Sequence, residues 1–451
     1  MRILPLALAA VAAAAVAVYL LRPMTYPQTA TLVVAEVVRP DDTPRGVVFL
    51  FSDKTGYGAK DREMARAIAG QGGVVVGVDL ARSFARAASA SPRDCVYFVS
   101  DVEEFSQKLQ RAIGMTSYVH PIVAGANAGG TMALALAAQS PLATIRRFIA
   151  VDPGESLPFA RELCSGAPHA KAADGKNWTY GLQPGRLPAP VQVFQTPDSD
   201  DAGKAHVESL IAQGFGIEHR SGSEDQAKTL SDAVAAVLAM APSTAGDGLS
   251  DLPLAILPAH SAHDTMAIVL SGDGGWRDID REIAEFLASK GVPTVGIDSL
   301  RYFWSEKTPE AIAADLARII DHFGDAWQVR SVVLIGYSFG ADVLPAAFNR
   351  LSDEQKAKIS TVSLLGLSDT AAFEFDVSGW FGGGGDPAHP TLPEVSRMPP
   401  GVVQCIFGED DDESACPKLQ GTGAEVVQMA GGHHFDDDFE AVARKIMARI
   451  R

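Results

Sequence analysis

The sequence predicts an α/β protein that carries one fold twice: two mostly parallel sheets in tandem, each a three-layer sandwich with helices on both faces. Three observations predict this. Apolar runs of strand length alternate with amphipathic helical patterns along most of the 451 residues, and strands joined by helical crossovers form parallel sheets covered on both sides. Residues 51–84 (FSDKTGYGAKDREMARAIAGQGGVVVGVDLARSF) align without a gap on residues 270–303 (LSGDGGWRDIDREIAEFLASKGVPTVGIDSLRYF), with 13 of 34 positions identical. Finally, "PIVAGANAGGTM" (121–132) and "VVLIGYSFGADV" (332–343) share one design, an apolar run, a glycine-flanked turn and a helical stretch, with Asn127 standing where the second copy has Ser338. A chain that repeats itself at this scale is read as a duplication.

The elements of the second copy follow in order. "MAIVLSG" is a strand, and "DIDREIAEFLASKG" is a helix ending at Gly291. "PTVGID" is the next strand, and "PEAIAADLARIIDHFG" is a helix with proline at its start, where the missing N–H costs nothing. "SVVLIG" leads into the turn at Ser338 and a further helix. "ISTVSLLGL" and "GVVQCIFG" are late strands, and "FDDDFEAVARKIMARI" is the closing helix. The strands "PVQVFQ" (190–195) and "VVQCIF" (402–407) extend the match between the copies. Residues 241–254, polar and rich in small side chains, read as a linker. The copies then span 28–240 and 255–451.

Residues 1–24 read as a targeting segment. A short basic start, Met1-Arg2, precedes an unbroken apolar run from Ile3 to Leu21. That is the layout of a signal peptide, and its length also approaches that of a membrane anchor. Either reading puts the body of the protein outside the cytoplasm. The four cysteines agree, since two fall in each copy and pair most simply as Cys95–Cys164 and Cys405–Cys416. No C-x-x-C spacing exists, which argues against zinc, and no motif calls for a metal or an organic cofactor. A net charge of −17 argues against nucleic acid as a partner.

Gly336-x-Ser338-x-Gly340 between a strand and a helix is the nucleophile elbow of α/β hydrolases. A serine nucleophile needs a base, and the base needs an orienting acid, in the order Ser, acid, His in this fold. His433 and His434 lie in a glycine loop after a late strand, and His433, directly after the glycine pair, is preferred. His389 reads as a surface histidine. The acid belongs after "VVQCIF", where Asp411 and Asp410 are the candidates. The oxyanion donors would be the backbone N–H groups of Phe339 and of Asp273 in "LSGDGGW". The first copy lacks this set: Asn127 is no nucleophile, "SDKTGYG" has no glycine before its Lys54, and His219 does not align with the second copy's histidines. It reads as a hydrolase fold without the chemistry, used for binding or support.

"GYSFGADVLP", "SGDGGWRDID", "CIFGEDDDESACP" and "GGHHFDDDF" together resemble the AcvB/VirJ family of bacterial periplasmic virulence-associated proteins. The two-copy layout is similar to the longer, AcvB-like members. The resemblance implies a periplasmic hydrolase that cleaves the aminoacyl ester of lysyl-phosphatidylglycerol, a membrane phospholipid with a cationic head group, to lysine and phosphatidylglycerol. It also implies links to type IV secretion and other exported proteins. Carboxylates near the elbow would suit the lysyl group, with Asp342 and Asp436 the candidates, followed by Asp437 and Asp438. Trp380 and Phe381, in "GWFGGGGDPAHP", would suit a lid touching lipid. Two rivals stand beside this reading: an esterase, thioesterase or peptidase on another substrate, and an accessory binding protein whose triad is idle.

Overall fold

The computed structural model describes residues 29–90, 95–185, 187–240, 249–375 and 389–450. The targeting segment and the lid residues Trp380 and Phe381 lie outside these. No helix among the described residues is long and apolar enough to cross a membrane.

Two seven-stranded sheets dominate. The first uses β1 (Val34–Val38), β2 (Gly46–Phe51), β3 (Gly73–Val78), β4 (Ile122–Ala126), β5 (Arg147–Val151), β6 (Val191–Gln195) and β7 (Ile217–Ser221). The second uses β8 (Leu254–Leu257), β9 (Thr265–Leu270), β10 (Thr294–Ile297), β11 (Ser331–Tyr337), β12 (Ile359–Leu365), β13 (Val403–Gly408) and β14 (Glu425–Met429). The spatial orders are β1-β3-β2-β4-β5-β6-β7 and β8-β10-β9-β11-β12-β13-β14, the same in both. Only the edge strands β1 and β8 run antiparallel to their neighbours. This is the tandem α/β-hydrolase architecture expected.

Side-chain alternation along each strand builds the layers. In β2, Val47, Phe49 and Phe51 enter one core while Val48 and Leu50 enter the core on the opposite face. In β9, Met266, Ile268 and Leu270 divide likewise from Ala267 and Val269. Successive side chains point to opposite faces of a strand, so a strand apolar at every position must be covered twice.

Two sequence boundaries need correction. Leu249 and Leu252, placed in the linker, are 2% and 6% exposed and belong to the second domain's core. The closing helix does not start at Phe435. Phe435, Asp436 and Asp437 all have positive φ, and the helix runs Phe439–Met447, with Asp438 capping the Ala441 N–H at 3.0 Å. An aspartate at the N-cap satisfies a donor that the helix itself cannot, so the aspartate run becomes a turn.

Strand order also fixes where a ligand can sit. From β9 the chain moves outward to β10, then returns to β11 on the other side of β9. At such a reversal the loops leaving the two strands diverge, and a crevice opens at their carboxyl ends. The loops concerned are 271–277, after β9, and the turn at Ser338, after β11.

Candidate active site

Ser338 sits at the point where β11 becomes the helix Phe339–Arg350, with φ 51° and ψ −117°. A non-glycine residue in this region is strained. The strain is held by flanking packing: a Cβ on Gly340 would come within 2.3 Å of the Leu270 carbonyl, and one on Gly336 within 2.4 Å of the Gly340 carbonyl. The sharp turn lifts the hydroxyl to the head of the helix.

His433 and Asp411 join it. His433 Nε2 lies 3.0 Å from Ser338 Oγ, and His433 Nδ1 lies 2.8 Å from Asp411 Oδ2. An ionised carboxylate only accepts, so Nδ1 carries the proton and donates to Asp411. Nε2 is then free to accept from the serine hydroxyl. The Asp411 side chain is 5% exposed and that of His433 35%, so the carboxylate is dry while the imidazole faces the crevice. The loop that carries Asp411 is anchored at both ends by the Cys405–Cys416 disulfide, which ties it to β13. The place of His433 depends on Gly366, whose φ is 62° and whose absent Cβ would meet His433 Cε1 at 2.7 Å.

The alternatives go elsewhere. Asp410 is exposed, and His434 Nδ1 lies 2.9 Å from Tyr337 Oη rather than at the serine. His389 is exposed. Phe339 opens its helix, so its N–H has no intrahelical acceptor. Asp273 follows Gly272, where a Cβ would stand 3.7 Å from that of Ser338, so the 271–277 loop is in contact with the elbow. Asp342 Oδ1 accepts the Ser368 N–H at 2.7 Å, and burial, with Asp273 adding to it, pushes its carboxyl up to about 8. Asp436 is exposed. Among the described residues no group of three His, Cys, Asp or Glu is set to hold a metal ion.

The first domain keeps the same elbow without the serine. Asn127 has φ 53° and ψ −119°, within a few degrees of Ser338. Its side-chain amide lies 3.2 Å from that of Gln226, which also donates to Asp152 Oδ2 at 2.5 Å. Asp152 follows β5 just as Gly366 follows β12, so a side chain stands where glycine leaves room for the His433 imidazole in the second domain. Burial raises the Asp152 carboxyl, but hydrogen bonds from Ser199, Thr196 and Gln226 outweigh it and hold the group below the usual carboxylate range. Asp53, the counterpart of Gly272, accepts the Ala128 N–H at 3.2 Å. Sequence reading missed Gln226, Asp152 and Asp53 here. The gapless alignment did place Asp53 opposite Gly272; nothing comparable marked Gln226. His219 is on β7, paired to Gln195 at 2.8 Å.

The disulfides form as expected, Cys95–Cys164 and Cys405–Cys416, and suit an oxidising compartment. Residues 264–451 match the family described as bacterial virulence protein (VirJ). No curated protein matches the chain. Several solved structures are similar in part. The esterase Est1E from Butyrivibrio proteoclasticus, with ferulic acid bound, is 14% identical over 46% of this chain and 97% of its own, with a TM-score of 0.33. YbtT, the type II thioesterase of a yersiniabactin pathway, is 15% identical over 44% and 99%, with a TM-score of 0.32. A lidless serine hydrolase from Xanthomonas campestris is 14% identical over 44% and 85%, with a TM-score of 0.30.

Proposed function

Residues 264–451 form a VirJ-family domain, and from that premise we propose that the chain is a periplasmic serine hydrolase acting on the aminoacyl ester of lysyl-phosphatidylglycerol. The observation that carries the catalytic part is the unbroken hydrogen-bonded run Ser338–His433–Asp411. In this reading Ser338 Oγ attacks the ester carbonyl while His433 takes its proton. The N–H groups of Phe339 and Asp273 stabilise the oxyanion. The C–O bond to the glycerol of the lipid breaks as His433 returns the proton to that oxygen. Phosphatidylglycerol leaves, and a lysyl ester remains on Ser338. Water, deprotonated by His433, then attacks this ester and releases lysine.

Two features support a cationic acyl group. Asp342 and Asp273 flank the elbow, and the Asp273 charge adds to the burial that makes Asp342 costly to ionise. An ammonium between them would relieve that repulsion. The net charge of −17 favours approach of a cationic lipid head group. The family likeness supplies the lipid itself.

The test is lysine release from vesicles containing lysyl-phosphatidylglycerol. Wild type should release lysine and accumulate phosphatidylglycerol, and Ser338→Ala should do neither. Equal rates for the two proteins would leave a binding role. Hydrolysis of simple esters with no lysine release would keep the hydrolase and discard the lipid.

A further inference from the structure

We propose that the first domain is a positioning element for the second domain's oxyanion loop, acting through Glu103 on Arg277 and through His120 on Asp298. This rests on the reading of residues 271–277 as the loop that supplies an oxyanion donor.

Arg277 closes that loop and begins the helix Asp278–Ser289. Its guanidinium leaves its own domain. Nη1 donates to Glu103 Oε1 at 2.8 Å and meets Thr144 Oγ1 at 3.4 Å, both residues of the first domain. The pair is largely shielded, with the Arg277 side chain 22% exposed and Glu103 16%. The same guanidinium lies against the loop backbone: a Cβ on Gly274 would stand 2.7 Å from Arg277 Nη2. Glu103, Arg277 and Gly274 therefore form one stacked line from the first domain to the loop.

A second line runs beside it. His120 Nε2 is 3.7 Å from Asp298 Oδ2, and a Cβ on Gly275 would stand 3.0 Å from Asp298 Oδ1. The two loop glycines are thus each backed by a side chain that the first domain contacts. Around them the domains are joined closely. Arg111 donates to the carbonyls of Trp304 and Phe375, and Trp304 Nε1 donates to Met115 O at 2.8 Å. Tyr118, Leu300, Trp304 and Phe375 form one small buried cluster across the junction.

Arg277 is also a feature of the second copy alone. Its counterpart in the first copy is Gly58, at the fixed offset of the repeat. Desolvating an ion pair seldom adds net stability, so a shielded pair of this kind is better understood as fixing a geometry. Oxyanion donors act only when held where charge will develop, and a displacement of about 1 Å can cost about a hundredfold in rate. A domain that lost its own nucleophile would in this way remain necessary to its twin.

The test uses the full chain with p-nitrophenyl butyrate as substrate and an aryl trifluoromethyl ketone as the tetrahedral-adduct inhibitor. Glu103→Gln, which keeps shape and removes charge, should lower kcat by about tenfold or more with KM nearly unchanged. It should weaken the ketone by a similar factor, and Glu103→Asp should recover part of both. A merely structural role would lower thermal stability without moving kcat and inhibitor affinity together. Unchanged kcat in Glu103→Gln, or a loss confined to KM, overturns the inference while leaving the hydrolase reading intact. If Glu103→Gln does not fold, Thr144→Val and Arg277→Lys carry the same comparison. If wild type neither turns over the ester nor takes a fluorophosphonate label at Ser338, both readings fall.

Discussion

The Asp53 carboxylate accepts the Ala128 N–H at 3.2 Å, so in the first domain a side chain of the protein occupies the place where a reaction's oxyanion would bind. Ala128 is the residue after Asn127, as Phe339 is the residue after Ser338. Three changes thus separate this domain from its twin: Asn127 for Ser338, Gln226 where His433 meets the serine, and the Asp53 carboxylate on the Ala128 N–H.

Restoring one part should restore nothing. In a Ser338→Ala background, Asn127→Ser should take no fluorophosphonate label and hydrolyse no p-nitrophenyl ester. The new hydroxyl would face Gln226, which accepts no proton at neutral pH, and the Ala128 N–H would still be capped by Asp53. Detectable labelling of residue 127 in that variant would show that the resident carboxylate yields its place.

Within the second domain the alternatives separate by geometry. Ser338→Ala and His433→Ala should each reduce ester turnover by roughly 10⁴-fold or more, and the double variant should lose little beyond either single one. Asp411→Asn should cost about 10³–10⁴-fold, since the imidazole loses the acceptor that sets its tautomer. Asp410→Asn and His434→Gln should stay within about threefold of wild type, because neither side chain reaches the serine. Steady-state kcat on one soluble ester measures all six. A large loss in Asp410→Asn with little in Asp411→Asn would reverse the assignment of the acid.

Much of this was legible in the sequence because it is written locally. The duplication, the strand and helix alternation and the glycine-flanked serine depend on spacing along the chain, and the Gly431-Gly432-His433 order marked the imidazole that meets Ser338. What was not legible depends on contacts between distant segments. Gln226 meets Asn127 across 99 positions, and Arg277 meets Glu103 across 174. The boundary errors have the same origin. Leu249 and Leu252 look like linker by their neighbours and are core by their tertiary partners. The aspartates after His434 look like a helix start, yet Asp438 takes the cap and the preceding three residues have positive φ.

The Cys405–Cys416 bridge makes a prediction about both stability and rate. It closes a loop between residues 11 apart that contains Asp411. Chain entropy gives such a bridge roughly 3 kcal/mol, so the double Cys→Ala variant should melt lower by about 6–12 °C. Calorimetry checks this. Well below its melting temperature, the variant should also turn over ester more slowly, with a larger loss in kcat than in KM, because the orienting acid is less firmly held. A variant of full activity would mean that the hydrogen bonds of the loop, such as Ala415 N–H to Leu367 O, suffice on their own.

Asp342 should give the site a measurable pH signature. Burial, with Asp273 as a secondary cause, pushes its carboxyl up to about 8 in the folded chain, against about 4 for an unfolded aspartate. Between these values the folded protein holds a proton that the unfolded chain has released, so stability falls as pH rises from about 4 to about 8. Asp342→Asn keeps a carbonyl oxygen for the Ser368 N–H and removes the charge. Its melting temperature should exceed that of wild type at pH 9 and converge on it near pH 4. Function should show the opposite preference. A fixed cation, such as the trimethylammonium group of a cationic p-nitrophenyl ester, binds best to ionised Asp342, so its KM should fall as pH rises through about 8 in wild type. The Asn variant should lose that dependence, while an uncharged ester should show none in either protein. Identical pH profiles of KM for the two esters would remove Asp342 from substrate recognition and leave it as a structural carboxyl on the Ser368 loop.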